Sequence, residues 1–391
     1  MAAPASLPVL SIYVHLPWCV SKCPYCDFNS HALRGLLPEQ AYVTALLEDL
    51  DADRGAVAGR GVASVFIGGG TPSLFSGGAI ALLLEGLAAR VPLAPDTEVT
   101  LEVNPGTLEH GRLADYRRAG VNRLSIGAQS FDAGMLQALG RIHGPDEIRA
   151  AVAEAREAGF DNFNLDLMYG LPQQTPAQAL ADVHAALALE PVHLSYYQLT
   201  LEPNTRFYHA PPSLPDEDTL WEIEAGGRDT LAAAGFGRYE VSAWSKPGRE
   251  CRHNLNYWRF GDYLGLGAGA HGKLSGAAGI RRTRRLAHPV AYLQASSPRL
   301  AGETLPDAPE RQFEFLLNAL RLREGFTRGE LEAATDTTAD SLFEQLGAAR
   351  QRGLLECVAG RWRASALGYT HLDSLLADFL PPVIHSSGVS Q

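Results

Sequence analysis

The chain has 391 residues, 46% of them hydrophobic, and a formal net charge of -11. That length and apolar content fit one large or two ordinary domains with filled cores. The acidic balance argues against holding a nucleic-acid backbone, itself an anion, and Gly 39 and Pro 24 are near average use, which argues against wholesale disorder.

Short apolar runs alternate with helix-like stretches over the first 240 or so residues. Strands are predicted to begin at Leu10 (LSIYVHL), Val62 (VASVFIG), Glu98 (EVTLEV), Asn122 (NRLSIGA), Asp161 (DNFNLDLM) and His193 (HLSYYQLT). Amphipathic helices are predicted over 39–53, 78–90, 108–119, 146–158 and 176–189. Continuous apolar strands alternating with helices predict a parallel sheet covered on its outside. Six such units predict an α/β fold: a partial (βα)6 barrel, TIM-like but incomplete, with its chemistry at the strand C-termini. The polar punctuation agrees. A cysteine cluster follows the first strand and GGGTP (68–72) the second. Glu102 and Asn104 end the third, Gln129 the fourth and Asp166 the fifth.

Residues 238–300 read as a less regular connecting segment, rich in Gly and aromatics. Within it Gly265, Gly267 and Gly269 partly match a dinucleotide fingerprint, but no clean strand precedes them and close packing is the expectation. From residue 301 the pattern changes. Helices are predicted over 309–322, 327–334 and 340–352, then two short strands (LLECV, RWRAS) around Ala359-Gly360, then a helix over 367–380. This reads as a small winged-helix-like domain over 301–391, after a core domain over 1–237. With 8 Arg and no Lys against 13 carboxylates, it is expected to pack or dock rather than bind DNA.

No apolar run reaches the length of a membrane span, and no basic segment precedes the first apolar residues, so a cytoplasmic protein is expected. Five cysteines, three within eight residues and Cys251 and Cys357 isolated, do not form a disulfide framework. Neighbouring thiols in a reducing compartment more often hold a metal. Cys19, Cys23 and Cys26 can hold three irons of a cubane, leaving the fourth open. An open iron can take the amino and carboxylate groups of S-adenosylmethionine. Electron transfer into its sulfonium would release a 5′-deoxyadenosyl radical. The alternative is a zinc knot completed by His15 or His31.

The CxxxCxxC motif with Tyr25 before its third cysteine resembles the radical S-adenosylmethionine superfamily. Further stretches narrow the likeness: YVHLPWC (13–19), IGGGTPS (67–73), LEVNPGT (101–107), NRLSIGAQSF (122–131), LGRIH (139–143) and NLDLMYGLP (164–172). They resemble the oxygen-independent coproporphyrinogen oxidase-like family, which includes HemN and HemW. The resemblance implies a [4Fe-4S] cluster on Cys19, Cys23 and Cys26 and a cofactor site formed by Tyr13, Gly69, Gly70, Thr71, Glu102, Gln129, Arg141 and Asp166, with Tyr25 flanking the adenine. The residue types suit those roles. Glycines let backbone approach a ligand, Glu102 offsets an ammonium or sulfonium, and the Arg141 fork suits a carboxylate. Taken singly, each polar residue could instead be a cap or a solvent contact. Some members of the family hold two S-adenosylmethionine molecules.

Two features separate the chain from the family's decarboxylating oxidases. Phe28 stands where they carry a fourth cysteine, and only twelve residues precede Tyr13 where they carry a long N-terminal segment. A third feature, His253-Asn254-Leu255-Asn256-Tyr257-Trp258, resembles the HNxxYW motif of the family's haem chaperones. It implies haem ligated by His253, with Tyr257 and Trp258 against the macrocycle. The bland alternative is a core histidine among buried aromatics. Cys251 is a second candidate ligand. Arg281, Arg282, Arg284 and Arg285 could meet haem propionates, although a solvated basic face is the plainer expectation. His271 could also lie near the ligand, although sequence alone does not place it. The partners implied are haem, an acceptor haemoprotein, an electron donor for the cluster and a possible homodimer. Coproporphyrinogen III decarboxylation and radical methyl transfer or haem opening are the alternative activities.

Overall fold

The computed structural model describes residues 7–107 and 111–381. The first residues of the helix expected over 108–119, and both chain ends, lie outside these. The six predicted strands are all present. Leu10–Leu16 is β1, and a short pair, Trp18–Cys19 (β2) and His31–Ala32 (β3), frames the cysteine loop. Then come Val62–Gly69 (β4), Leu93–Val103 (β5), Arg123–Gln129 (β6), Phe163–Tyr169 (β7) and His193–Gln198 (β8). β1 and β4 to β8 are adjacent in chain order and parallel. Their residues are buried on both faces, because helices cover the outside and polar side chains and a further helix fill the inside. The covering helices begin on local signals. Thr175 caps Pro176–Ala188 in a reciprocal box with Gln178, and Pro145 occupies the first turn of Pro145–Glu157.

The segment expected to be an irregular connector instead extends the sheet. It supplies Gly237–Arg238 (β9) and Ala243–Ser245 (β10) beyond β8. It also supplies Asp262–Leu266 (β11), His271–Gly276 (β12), Gly279–Arg285 (β13) and Leu300–Thr304 (β14) on the far side of β1. The result is a twelve-stranded mixed sheet, open at β14 and β9. β11 does precede the glycine-rich turn, and the packing expectation for that turn is met. A Cβ on Gly265 would lie 2.0 Å from the His271 carbonyl oxygen, and one on Gly267 2.3 Å from that of His15.

The arginine run is exposed at Arg284 but is otherwise not a solvated basic face. It lies on β13 and faces carboxylates of the helix Glu39–Asp53 and of the C-terminal region. Arg281 pairs with Asp53 and Glu303, Arg282 with Glu314, and the fully buried Arg285 with Asp53. Asp49, also fully buried, accepts from the Tyr292 hydroxyl at 2.7 Å, from Ser297 Oγ at 3.1 Å and from the Arg299 backbone N–H at 3.2 Å.

The C-terminal region has helices Ala308–Ala319, Arg328–Thr335 and Asp340–Gln351 and a small sheet of Phe326–Thr327 (β15), Leu355–Val358 (β16) and Arg361–Ala364 (β17). β17 lies between the other two, which gives the wing. The single last helix expected over 367–380 is two short ones, Ala366–Thr370 and Leu372–Ala377, broken where His371 leaves helical geometry. This region has its own apolar core, around Leu316, Leu320, Leu331, Leu346 and Leu375, which Phe260 and Ile280 join from the larger unit.

Removing one partner from a buried ionic network costs roughly 3–5 kcal/mol, because the remaining charges stay enclosed. Asp49→Ala is therefore expected to lower unfolding free energy by about that amount in a denaturant titration. A loss below about 1 kcal/mol, the range of an exposed ion pair, would show that the network carries no such weight.

Candidate functional site

The strand C-termini form a rim, and a cavity of about 490 Å³ lies in it. Its wall includes Cys19, Cys23, Tyr25, Cys26, Gly69, Gly70, Thr71, Glu102, Gln129, Arg141 and Asp166, so ten predicted cofactor and metal residues besides Thr71 meet at one place. Tyr13 and His253 are not part of that wall.

The cysteine loop is tied down at both ends. The His31 N–H donates to the Pro17 carbonyl and the Leu33 N–H to that of Cys19, at 2.7 and 2.8 Å. Tyr25 packs near Phe207 beside an apolar cluster with Met168 and Leu199. Burial pushes the Cys19 and Cys26 thiols up from the ordinary thiol range, opposed by hydrogen bonds that include Ser30. Arg141 Nη1 lies 3.7 Å from Cys23 Sγ, Nη2 donates to the Gly127 carbonyl at 3.1 Å, and its buried Nε has no partner.

The carboxylates sit deeper. Glu102 accepts from the Gly69 N–H at 3.0 Å. Burial, with the Asp166 charge nearby, raises its pKa to about 8. Asp166 is also raised by burial, and accepts from Asn164 Nδ2 at 2.8 Å and Ser125 Oγ at 3.1 Å. Gln129 has φ of 67°, an uncommon conformation for a residue with a side chain, where β6 breaks register. Its side-chain oxygen accepts from the Tyr197 hydroxyl at 2.8 Å.

The histidines proposed to complete a zinc site are otherwise engaged. His15 Nδ1 is 3.0 Å from the Tyr13 hydroxyl, and Nε2 is 2.9 Å from the Asn29 carbonyl. His31 Nε2 is bonded to Asn29 Oδ1. Among the described residues no group of three His, Cys, Asp or Glu could hold a single metal ion. A cubane asks for a different arrangement, since each iron takes one thiolate and the sulfurs stand apart around a larger body.

A second cavity, of about 630 Å³, adjoins the first and shares Phe28, Gly69 and Glu102 with it. Tyr13, Tyr257, Trp258 and Phe260 give it aromatic walls. His271, Lys273 and Arg282 stand on β12 and β13, and Glu314, Leu317 and Asn318 come from the C-terminal helix. His253 is one layer behind. It is buried, its ring 4.7 Å from that of Tyr257 and 6.3 Å from that of Tyr13. Its Nδ1 is 3.0 Å from Ser64 Oγ, which is itself 2.8 Å from Ser11 Oγ, and its Nε2 has no partner. Burial, then the Arg123 charge, lower its pKa to about 3. Cys251 is buried against Glu98, and burial pushes its thiol up to about 12.

Residues 13–186 match the radical SAM superfamily, and residues 307–370 match the HemN C-terminal domain. The chain is 52% identical over 375 residues to "Heme chaperone HemW" of Escherichia coli (strain K12), covering 96% of this chain and 99% of that protein. The chain belongs to the HemW family of radical SAM proteins. Other HemW relatives are those of Haemophilus influenzae, 47% identical with 96% and 98% covered, and Mycobacterium tuberculosis (strain ATCC 25618 / H37Rv), 37% identical with 87% and 91% covered. The coproporphyrinogen III oxidase HemN from Escherichia coli has the same fold, with a TM-score of 0.81 at 23% identity over 95% of this chain and 90% of that one. Membership in the radical SAM superfamily implies a [4Fe-4S] cluster and S-adenosylmethionine, and the donor set fits both: three thiols on one loop, a glycine-lined approach, and an arginine nitrogen without a partner.

Sequence reasoning missed the residues that hold the HemW-family site residues in place. Ser64 and Tyr197 carry no motif, and only packing between strands brings them to His253 and Gln129, while Asn164, at the start of the NLDLMYGLP stretch, bonds Asp166 two residues along the same strand. It also missed the contribution of the C-terminal helix, 50 or so residues from the nearest motif.

Raised thiol pKa values have a direct readout. In iron-free protein, Cys19 and Cys26 are expected to alkylate slowly with iodoacetamide at pH 7.5 or so, and faster as pH climbs past the free-thiol value of about 8.5. Mass spectrometry of the labelled peptides checks this. Rapid, pH-independent labelling of both would show the thiols are not held in a desolvated loop.

Proposed function

We propose that the chain is a haem chaperone, holding haem in the aromatic cavity beside its cluster site and passing it to an acceptor haemoprotein. The observation that carries this is the whole-length identity to proteins named haem chaperone HemW, joined to an apolar, aromatic-walled cavity formed in part by the HNxxYW residues. Cys19, Cys23 and Cys26 hold the cluster, which when bound supplies single-electron chemistry toward S-adenosylmethionine. Gly69, Gly70 and Thr71 offer backbone and hydroxyl groups to the cofactor, Glu102 and Asp166 its counter-charges, Gln129 and Arg141 polar contacts, and Tyr25 a flat face. Tyr13 lies outside this wall and borders the haem cavity instead.

His253 is the iron ligand in this reading. An iron-binding imidazole usually donates its other ring N–H to a fixed acceptor, which sets the tautomer. Ser64 is in position to be that acceptor, leaving the Nε2 lone pair without a partner. With a pKa of about 3 the ring is neutral, the state that binds metal. Because His253 is enclosed by the rings of Tyr13, Phe66 and Tyr257, ligation requires this aromatic packing to open. The acceptor haemoprotein, an electron donor and a homodimeric state complete the proposal. The cytoplasm is the proposed location, consistent with five free cysteines. Among the described residues no helix is long and apolar enough to cross a membrane.

Haem titration of the reconstituted protein is expected to saturate at about one haem per chain, with His253→Ala weakening affinity by tenfold or roughly 1.4 kcal/mol. Absence of haem binding in the parent protein would end the chaperone reading. An unchanged titration in the variant would remove His253 from it.

Glu102 gives a pH signature. With a pKa of about 8 its carboxyl is mostly neutral at pH 7 and ionises above. A bound cation favours the ionised form, so affinity for S-adenosylmethionine is expected to rise between about pH 7 and pH 9. Glu102→Gln should lower affinity at the upper end and flatten the dependence, read by anaerobic calorimetry. A dependence equally steep in the variant would assign the proton elsewhere.

A further inference from the structure

The cavity next to the cluster site has a basic wall on β12 and β13, and most of it is occupied by internal bonds. Lys273 Nζ donates to the Phe260 carbonyl at 2.8 Å and to Asp262 Oδ1 at 3.0 Å. Arg282 donates to Glu314 from Nε at 3.0 Å and to the Tyr263 hydroxyl at 2.9 Å. Both ring nitrogens of His15 are engaged. His271 differs. It is exposed on the same wall, and its imidazole makes no hydrogen bond to any described residue.

Its backbone, by contrast, is held on two sides. Gly265 approaches so closely that a Cβ there would lie 2.0 Å from the His271 carbonyl oxygen, and on the other side His271 pairs with Arg284 of β13. The Arg285 N–H also donates to the Ala270 carbonyl at 2.9 Å. The backbone is fixed and both ring nitrogens are free of partners among the described residues, so either one can turn toward a metal, in contrast to His253, whose Nδ1 is held by Ser64. Burial of part of the ring, then the charges of Arg284 and Arg282, hold its pKa below the usual imidazole value, a shift that favours the neutral, metal-binding form.

We propose that His271 is a second iron donor for haem, on the open side of the cavity, acting with His253 on the enclosed side. The inference rests on the haem reading and adds to it a donor on the exposed side of the cavity. The aromatic walls take the macrocycle whether or not it contains iron. The imidazole distinguishes iron porphyrin from metal-free porphyrin.

That distinction is the test. The full-length protein, reconstituted without oxygen, is titrated with ferric haem and separately with metal-free protoporphyrin IX, and haem release is followed with apomyoglobin as the receiver. His271→Ala and the volume-conserving His271→Gln are compared with the parent and with His253→Ala. The expected result is haem binding weakened by about tenfold in both His271 variants, with a shifted Soret band, faster release to apomyoglobin, and unchanged affinity for the metal-free ring. Equal losses for both porphyrins would make His271 a wall residue and overturn ligation. So would unchanged spectra and release rates beside an affected His253→Ala, in which case the haem reading stands alone. If the parent binds neither porphyrin, both fall together.

Discussion

Gly70 and Trp18 meet backbone to backbone, and the geometry of the rim follows from that contact. A Cβ on Gly70 would lie 2.6 Å from the Trp18 carbonyl oxygen. The approach is closed by two hydrogen bonds, from the Gly70 N–H to the Leu16 carbonyl and from the Thr71 N–H to that of Trp18, at 2.8 and 2.7 Å. They lock the start of the cysteine loop onto the end of β4, so Thr71 can reach the Cys19 thiol and Gly69 the Glu102 carboxylate. Eight residues of loop would otherwise have to be ordered by the ligand itself, at roughly 1–2 kcal/mol of backbone entropy for each.

The same contact explains why two cavities share a wall. Phe28, at the end of the cysteine loop, is 60% exposed and borders both, as do Gly69 and Glu102. A ligand that changed the charge of Glu102 or the position of Phe28 would alter a wall that both cavities share. Any such coupling is reciprocal.

The core strands were legible because parallel strands buried on both faces read as unbroken apolar runs, and the rim because its residues fall at strand ends. β13 was not. GIRRTRR carries four arginines in seven residues, and nothing local marks it as a strand. Its stability comes from carboxylates more than 200 residues away, Asp49 and Asp53, which a local reading cannot pair with it. β11 was obscured by its length and glycine content, and pairs with β1 from the far end of the domain. At the site, the cysteines, glycines and carboxylates were visible from spacing. The enclosure of His253 matches the alternative of a core histidine among buried aromatics, but its partner Ser64 was not visible, because it looks like any small polar residue on a strand.

β1 is paired on both sides, with β4 and with β11, and the second neighbour begins only at Asp262. The cysteine loop has the same dependence. Asn29, three residues past its last thiol, donates to the carbonyls of Ala268 and Ala287, at 2.9 and 2.8 Å. During synthesis the first strand therefore leaves the ribosome long before its outer neighbour exists, and its edge stays open in the nascent chain. The cysteine loop gains these two anchors only once residue 287 has emerged, after nearly three quarters of the polypeptide is made.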